Sequence, residues 1–168
     1  ILEEVELHRK QIVTDSYTTN WREILGQFKD GDLKIDPEYQ RLFRWSIDQQ
    51  TQFLESLLLG IPSPAIFLAE SKDGGFEILD GLQRLSTLIR FFATEIYGDN
   101  VKPQSDDESD VNDLTVPTLL VDGPLIKSLE GYRAQTLPET LTRTIKYSRI
   151  TVIQIKRESD VAARMEVF

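Results

Sequence analysis

Cysteine is absent from this 168-residue chain, and there is only one histidine and one methionine. Without cysteine there can be no disulfide, no thiolate metal site and no cysteine nucleophile. The single histidine, His8, stands among Glu6, Arg9 and Lys10, a setting that suits a surface position better than a catalytic one. Long apolar runs are missing too. None approaches the roughly 20 residues that a membrane-spanning helix needs, and no secretory signal is visible, so a soluble cytoplasmic protein is expected. A Walker-type glycine-rich loop with its lysine is also lacking. Positive charge is scarce: 19 Lys and Arg face 28 Asp and Glu, for a net charge of −9. That balance argues against a protein that coats nucleic acid non-specifically.

What the chain does have is enough apolar content, 40%, to bury one real core, so residues 1–168 are read as a single domain. The charge is uneven. Residues 99–113 hold Asp99, Asp106, Asp107, Glu108, Asp110 and Asp113 against Lys102 alone. Such mutual repulsion predicts a mobile acidic loop, dispensable for folding.

Hydrophobic periodicity gives the elements. An edge strand is expected near residues 11–13. Asn20 and Glu23 read as a capping box opening a helix to about Phe28. Residues 33–35 suit a short strand that Pro37 stops. Residues 39–45 fit neither period and read as a loop packed by Phe43 and Trp45. Ser46 and Gln49 form a second capping box before a helix over 47–59, closed by Gly60. Residues 66–68 and 76–79 should pair as a hairpin about Asp73-Gly74-Gly75. Further on, a strand is expected at 116–121, a helix at 137–145 and a strand at 150–155. A last helix is expected from Ser159 or Asp160, still running at Phe168, as in a chain cut short at its C-terminal end. The sum is an α/β (α+β) fold, a small mixed sheet flanked by helices.

The chemistry concentrates at Asp80-Gly81-Leu82-Gln83-Arg84. Here an apolar strand turns abruptly into a helix, and the helix start offers unpaired N–H groups and the positive dipole end, a natural anion site. A carboxylate, an amide and a guanidinium fall within five residues, and Gly81 lets a ligand approach the backbone. A plainer account remains open, with Asp80 capping the helix and Arg84 in water.

Three segments, taken together, carry a resemblance: Pro37-Glu38-Tyr39-Gln40-Arg41 with Trp45; Leu57-Leu58-Leu59-Gly60-Ile61-Pro62-Ser63-Pro64; and Asp80-Gly81-Leu82-Gln83-Arg84-Leu85. In this order they are similar to the N-terminal domain of GmrSD-type proteins, a bacterial family with a DGQQR-type motif on a ParB/sulfiredoxin-like fold. The match is good from about Ile35 to Phe92. The resemblance implies a nucleotide-binding, NTP-hydrolysing domain of a modification-dependent restriction or anti-phage protein. Its ligands would be GTP or ATP with Mg²⁺, and DNA and a nuclease domain outside this sequence would be its partners. On that reading Asp80, Gln83 and Arg84 are catalytic, with Asp80 the metal ligand. Tyr39, Gln40, Arg41, Arg44, Gly81 and Arg84 then bind nucleotide. The Gln40–Arg41 pair and the Asp80 motif should share one pocket. The alternative is a non-catalytic module that reads modified DNA and signals to a separate nuclease.

Overall fold

The computed structural model describes residues 1–104, 110 and 112–156. Helix α1 (Leu2–Gln11) leads into strand β1 (Thr14–Asn20), helix α2 (Trp21–Asp30) and strand β2 (Leu33–Lys34). A single helical turn α3 (Pro37–Gln40) and helix α4 (Ile47–Leu58) follow, then strands β3 (Ile66–Glu70) and β4 (Phe76–Asp80). Helices α5 (Leu82–Phe91), α6 (Ala93–Tyr97) and α7 (Glu139–Tyr147) precede the last described strand, β5 (Arg149–Ile155).

The five strands form one mixed sheet in the order β1-β5-β3-β4-β2. Strand β5 runs antiparallel to β1 and parallel to β3, β3 and β4 form the antiparallel hairpin, and β2 lies parallel to β4. Along β5, buried Ile150 and Val152 alternate with exposed Arg149 and Thr151, the two-residue period of a strand with one face on the core. Ile66, Leu68 and Ile78 join that face, and Trp21, Ile24, Leu54, Leu57, Leu85, Leu88 and Ile89 close on it from the helices. Each fully buried aliphatic side chain contributes roughly 1.5–3 kcal/mol of transfer free energy. The α/β expectation of a small mixed sheet flanked by helices is met.

Local chemistry explains the helix boundaries. Asn20 accepts the Glu23 N–H at 3.0 Å, and Gly31 ends α2 with φ at 83°. Ser46 and Gln49 make the full reciprocal box at the start of α4. The hairpin turns at Asp73, whose carboxylate accepts from Lys34 at 2.5 Å and from the Ser71 hydroxyl. These bonds hold it well below the usual carboxylate range.

Three expectations need correction. The edge strand lies at Thr14–Asn20, with a helix before it where residues 11–13 were expected to start the sheet. That strand is almost wholly polar and takes its register from β5's backbone, so no apolar alternation marks it. Residues 37–40 form a helical turn that runs into the start of the 39–45 segment expected as a loop; Asp36 caps it by accepting the Glu38 N–H at 2.8 Å. Residues 116–121 are not a strand. Their backbone groups are met by side chains of α4 and α5 and by a neighbouring turn: the Val116 carbonyl accepts from Arg90, the Val121 N–H donates to Thr51, and Leu120 exchanges bonds with Gly131 and Tyr132. With those groups taken, no strand ladder forms.

Of the acidic stretch, residues 105–109 and 111 lie outside the described residues, as does the helix expected from 159 or 160. Asp113, at its end, is well held: it accepts from Lys102 at 2.6 Å and from the Thr115 N–H and hydroxyl at 2.9 and 2.7 Å.

Candidate functional site

The site begins with Gly81. Strand β4 ends at Asp80, and the chain reverses into α5 through Gly81 at φ 100°, a backbone conformation that side chains disfavour. Space also demands glycine, since a Cβ here would lie 2.5 Å from Cγ2 of Ile66 on β3. The β3–β4 register shifts between Phe67 and Leu68, and Phe67 is the partner of Asp80, so a bulge re-aims the strand end at the turn. No side chain caps α5. The capping account of Asp80 therefore fails; its carboxylate is exposed at the head of an uncapped helix.

Gln83 is a clasp. Its Oε1 accepts the backbone N–H of Arg44 at 3.0 Å and of Trp45 at 3.1 Å, and its Nε2 donates to the Leu42 carbonyl at 2.6 Å. One side chain thereby satisfies three backbone groups of the 39–45 segment and fixes it against the head of α5. Arg84 reaches the other way and donates to the Pro64 carbonyl and, at 3.1 Å, to that of Ala65. It ties the Pro62-Ser63-Pro64 segment to the same helix. Burial pulls the Arg84 guanidinium pKa down, and the Asp80 carboxylate nearby partly restores it.

Two hollows result, sharing a wall of Trp45 and Arg84. In one, of about 380 Å³, Tyr39 and Leu42 face Asp80, Gly81 and Gln83. The other, of about 450 Å³, is lined by Phe53, Gln52 and the Pro62-Ser63-Pro64 segment, and the Ser63 hydroxyl is buried there without a partner. Gln40 and Arg41 do not line these hollows. They line a third of about 530 Å³ with Lys102 and Asp113, and Arg41 lies 3.6 Å from Glu38. Arg44 is exposed, and its backbone N–H rather than its guanidinium meets the Asp80 motif. Of the residues singled out from sequence, Tyr39, Asp80, Gly81, Gln83 and Arg84 thus share one hollow, with Gln40 and Arg41 in another.

Missed from sequence was the buried scaffold behind the site. Gln50 donates to the Trp45 carbonyl at 2.9 Å, and its Oε1 accepts from Arg90 at 3.3 Å and Thr118 at 3.1 Å. Arg90, 1% exposed, also donates to the Val116 carbonyl at 2.9 Å, and burial lowers its pKa to about 10. Glu55 accepts the N–H groups of Leu125 and Ile126 at 2.9 and 2.5 Å. A signal for Gln50 existed: it stands three, four and seven residues before Phe53, Leu54 and Leu57, on the apolar face of α4.

Among the described residues, no group of three or more His, Cys, Asp or Glu could hold a metal ion. Asp80 alone suits a magnesium ion that arrives on phosphate oxygens, because Mg²⁺ is commonly held by one or two carboxylates plus substrate. No helix among those residues is long and apolar enough to cross a membrane. No curated protein and no solved structure matches the chain. Residues 22–168 match the family model described as the GmrSD restriction endonuclease, N-terminal domain. They carry both the clasped loop and the Gly81 turn, and the chain belongs to that family.

Proposed function

We propose that the Asp80 turn binds the phosphates of a nucleoside triphosphate and that the domain hydrolyses it within a restriction or anti-phage protein. The observation that carries this reading is the conjunction at the head of α5: an uncapped helix start, a glycine at φ 100° and an exposed carboxylate on one hollow of about 380 Å³. Helix N–H groups and the dipole favour phosphate. Asp80 would hold Mg²⁺ or orient the attacking water, and Tyr39 and Trp45 offer ring surfaces to the rest of the ligand. Arg84, bonded to two carbonyls, adds its charge while positioning the rim.

A second reading has its own support. Gln83 and Arg84 give their hydrogen bonds to backbone, which leaves Asp80 as the one uncommitted member of the three residues assigned to catalysis. That favours a binding module without turnover, a sensor that reads DNA and signals to a nuclease. An NTPase assay with Mg²⁺, paired with nucleotide-induced thermal shift, separates the two. On the hydrolysis reading, Asp80→Ala keeps the nucleotide-induced shift and loses turnover, since removing a carboxylate near phosphates also relieves repulsion. Arg84→Lys weakens binding, because an ammonium cannot reproduce the planar fork. Unchanged hydrolysis in Asp80→Ala would sink the catalytic role. A nucleotide shift with no hydrolysis in the wild-type chain would select the sensor.

A further inference from the structure

We propose that a corner formed by α2, α7 and β5, remote in sequence from the Asp80 turn, docks the phosphodiester backbone of DNA. Its centre is Tyr147, an exposed ring with two guanidiniums over it: Arg22 from α2 and Arg143 from α7, each 5.7 Å from the ring centroid. The inference does not depend on nucleotide binding at Asp80.

On a chain of net charge −9, several cations sit on carboxylates: Lys34 with Asp73, Lys102 with Asp113, Lys127 with Asp122, Lys146 with Glu95 and Lys156 with Glu70. Others, such as Arg44 and Lys72, have no ion pair among the described residues, and what sets Arg22 and Arg143 apart is that the two share one ring. Among the described residues, neither Arg22 nor Arg143 has a carboxylate within 4.0 Å, although exposed Glu23 and Glu139 stand next to and one turn from them in sequence. Two like charges share one ring with no counter-ion between them, and an arriving anion would relieve their repulsion.

The corner is also preorganised. Trp21, fully buried, donates its backbone N–H to the Ser148 carbonyl at 3.2 Å, which locks the start of α2 to the end of α7. Arg149, exposed and likewise without a carboxylate within 4.0 Å, opens β5 directly across from Asn20 and adds a third cation. A guanidinium stacked on an aromatic face is held in place while its N–H edges stay available, and those edges match phosphate oxygens two at a time. The surroundings favour nucleic acid over protein. Thr140 and Thr144 stand on α7 near Arg143 and Tyr147, so hydroxyls and guanidiniums surround the single ring, with Glu23 and Glu139 the carboxylates nearest to the two arginines in sequence. Protein–protein interfaces centre on a desolvated apolar core, whereas backbone-contacting DNA interfaces are polar and strongly cationic.

The test is fluorescence anisotropy of a labelled duplex over a range of salt, with the full chain and no nucleotide. Each lost phosphate contact reduces the slope of log K against log salt by about one. The Arg22→Ala/Arg143→Ala variant should therefore lower the slope by about two and weaken binding by an order of magnitude or more at low salt. Circular dichroism melting checks that it folds. Arg22→Lys/Arg143→Lys, which keeps the charge and loses the fork, should keep the slope and still bind less tightly. A wild-type chain that does not bind duplex, or a slope unchanged in the alanine variant, overturns the proposal. So does a corner that binds polyglutamate in place of DNA, which would assign it to an acidic protein.

Discussion

Gln83 and Arg84, at the start of α5, and Arg90, at its end, all donate to backbone carbonyls, yet the two ends of the helix do opposite things. At the C-terminal end the polar groups are sealed: Gln50, Thr51, Glu55, Arg90 and Thr118 are all buried and bond to one another, to residues 116–126 and, through Gln50, to the Trp45 carbonyl. At the N-terminal end, Gln83 and Arg84 are half-buried, and their bonds to residues 42–45 and 64–65 leave Asp80 open to solvent beside the buried Gly81. Holding irregular backbone with helix side chains therefore produces a lock where the groups are desolvated and a site where one face is left free. Burial, not residue type, separates the two.

Variants at the two ends should show this as a gradient of stability. The largest effect belongs to Arg90→Ala, which empties a buried volume, orphans the Val116 carbonyl and leaves Gln50 Oε1 with Thr118 alone. Urea unfolding should show a loss of about 3 kcal/mol or more; a loss under 1 kcal/mol would mean the lock is not one. Gly81→Ala should follow at about 2 kcal/mol, since it combines a disfavoured φ with a contact against Ile66. Gly74→Ala is the control, with φ at 88° but open space around its Cβ, and should cost about 1 kcal/mol. Equal losses at the two glycines would remove the steric half of the argument.

Gln83→Ala releases three backbone groups that solvent can reach, so about 1 kcal/mol is expected. Its mark should instead be faster amide exchange at Arg44 and Trp45. Unchanged exchange there would show that the 39–45 segment is held by packing alone.

The smallest effect is a pH dependence at Asp113. Its burial would raise the pKa, but hydrogen bonds from Lys102 and Thr115 outweigh that and lower it. A depressed folded pKa gives stability that is present above the unfolded value of 3.8 and lost as the pH falls through the lower folded one. Asp113→Asn should make the acid limb of the melting-temperature profile shallower and leave the site unaffected. A profile identical to the wild type would remove Asp113 from the acid response.

Much of this was legible in the residues themselves. Ser46 with Gln49 and Asn20 with Glu23 place helix starts because capping is a local contest for a few N–H groups. The 66–68 and 76–79 hairpin follows from apolar runs about Asp73-Gly74-Gly75. Asp80-Gly81 marks the turn, because only glycine tolerates that backbone and an apolar strand stops there.

What the sequence could not decide was where long-range bonds go. Residues 116–121 have the composition of a strand, but Arg90 and Thr51, from other helices, claim their backbone groups. Gln83 and Arg84 read as ligand-binding groups, and only folding shows that the loops of 42–45 and 64–65 arrive within their reach. Tyr147 and its two arginines lie on elements more than a hundred residues apart in the chain. Periodicity and caps are properties of neighbours along the chain, so the sequence determined the helices, the hairpin and the Gly81 turn by itself. Partners for a buried or exposed polar group are set by which distant elements pack together, and that the tertiary structure alone decided.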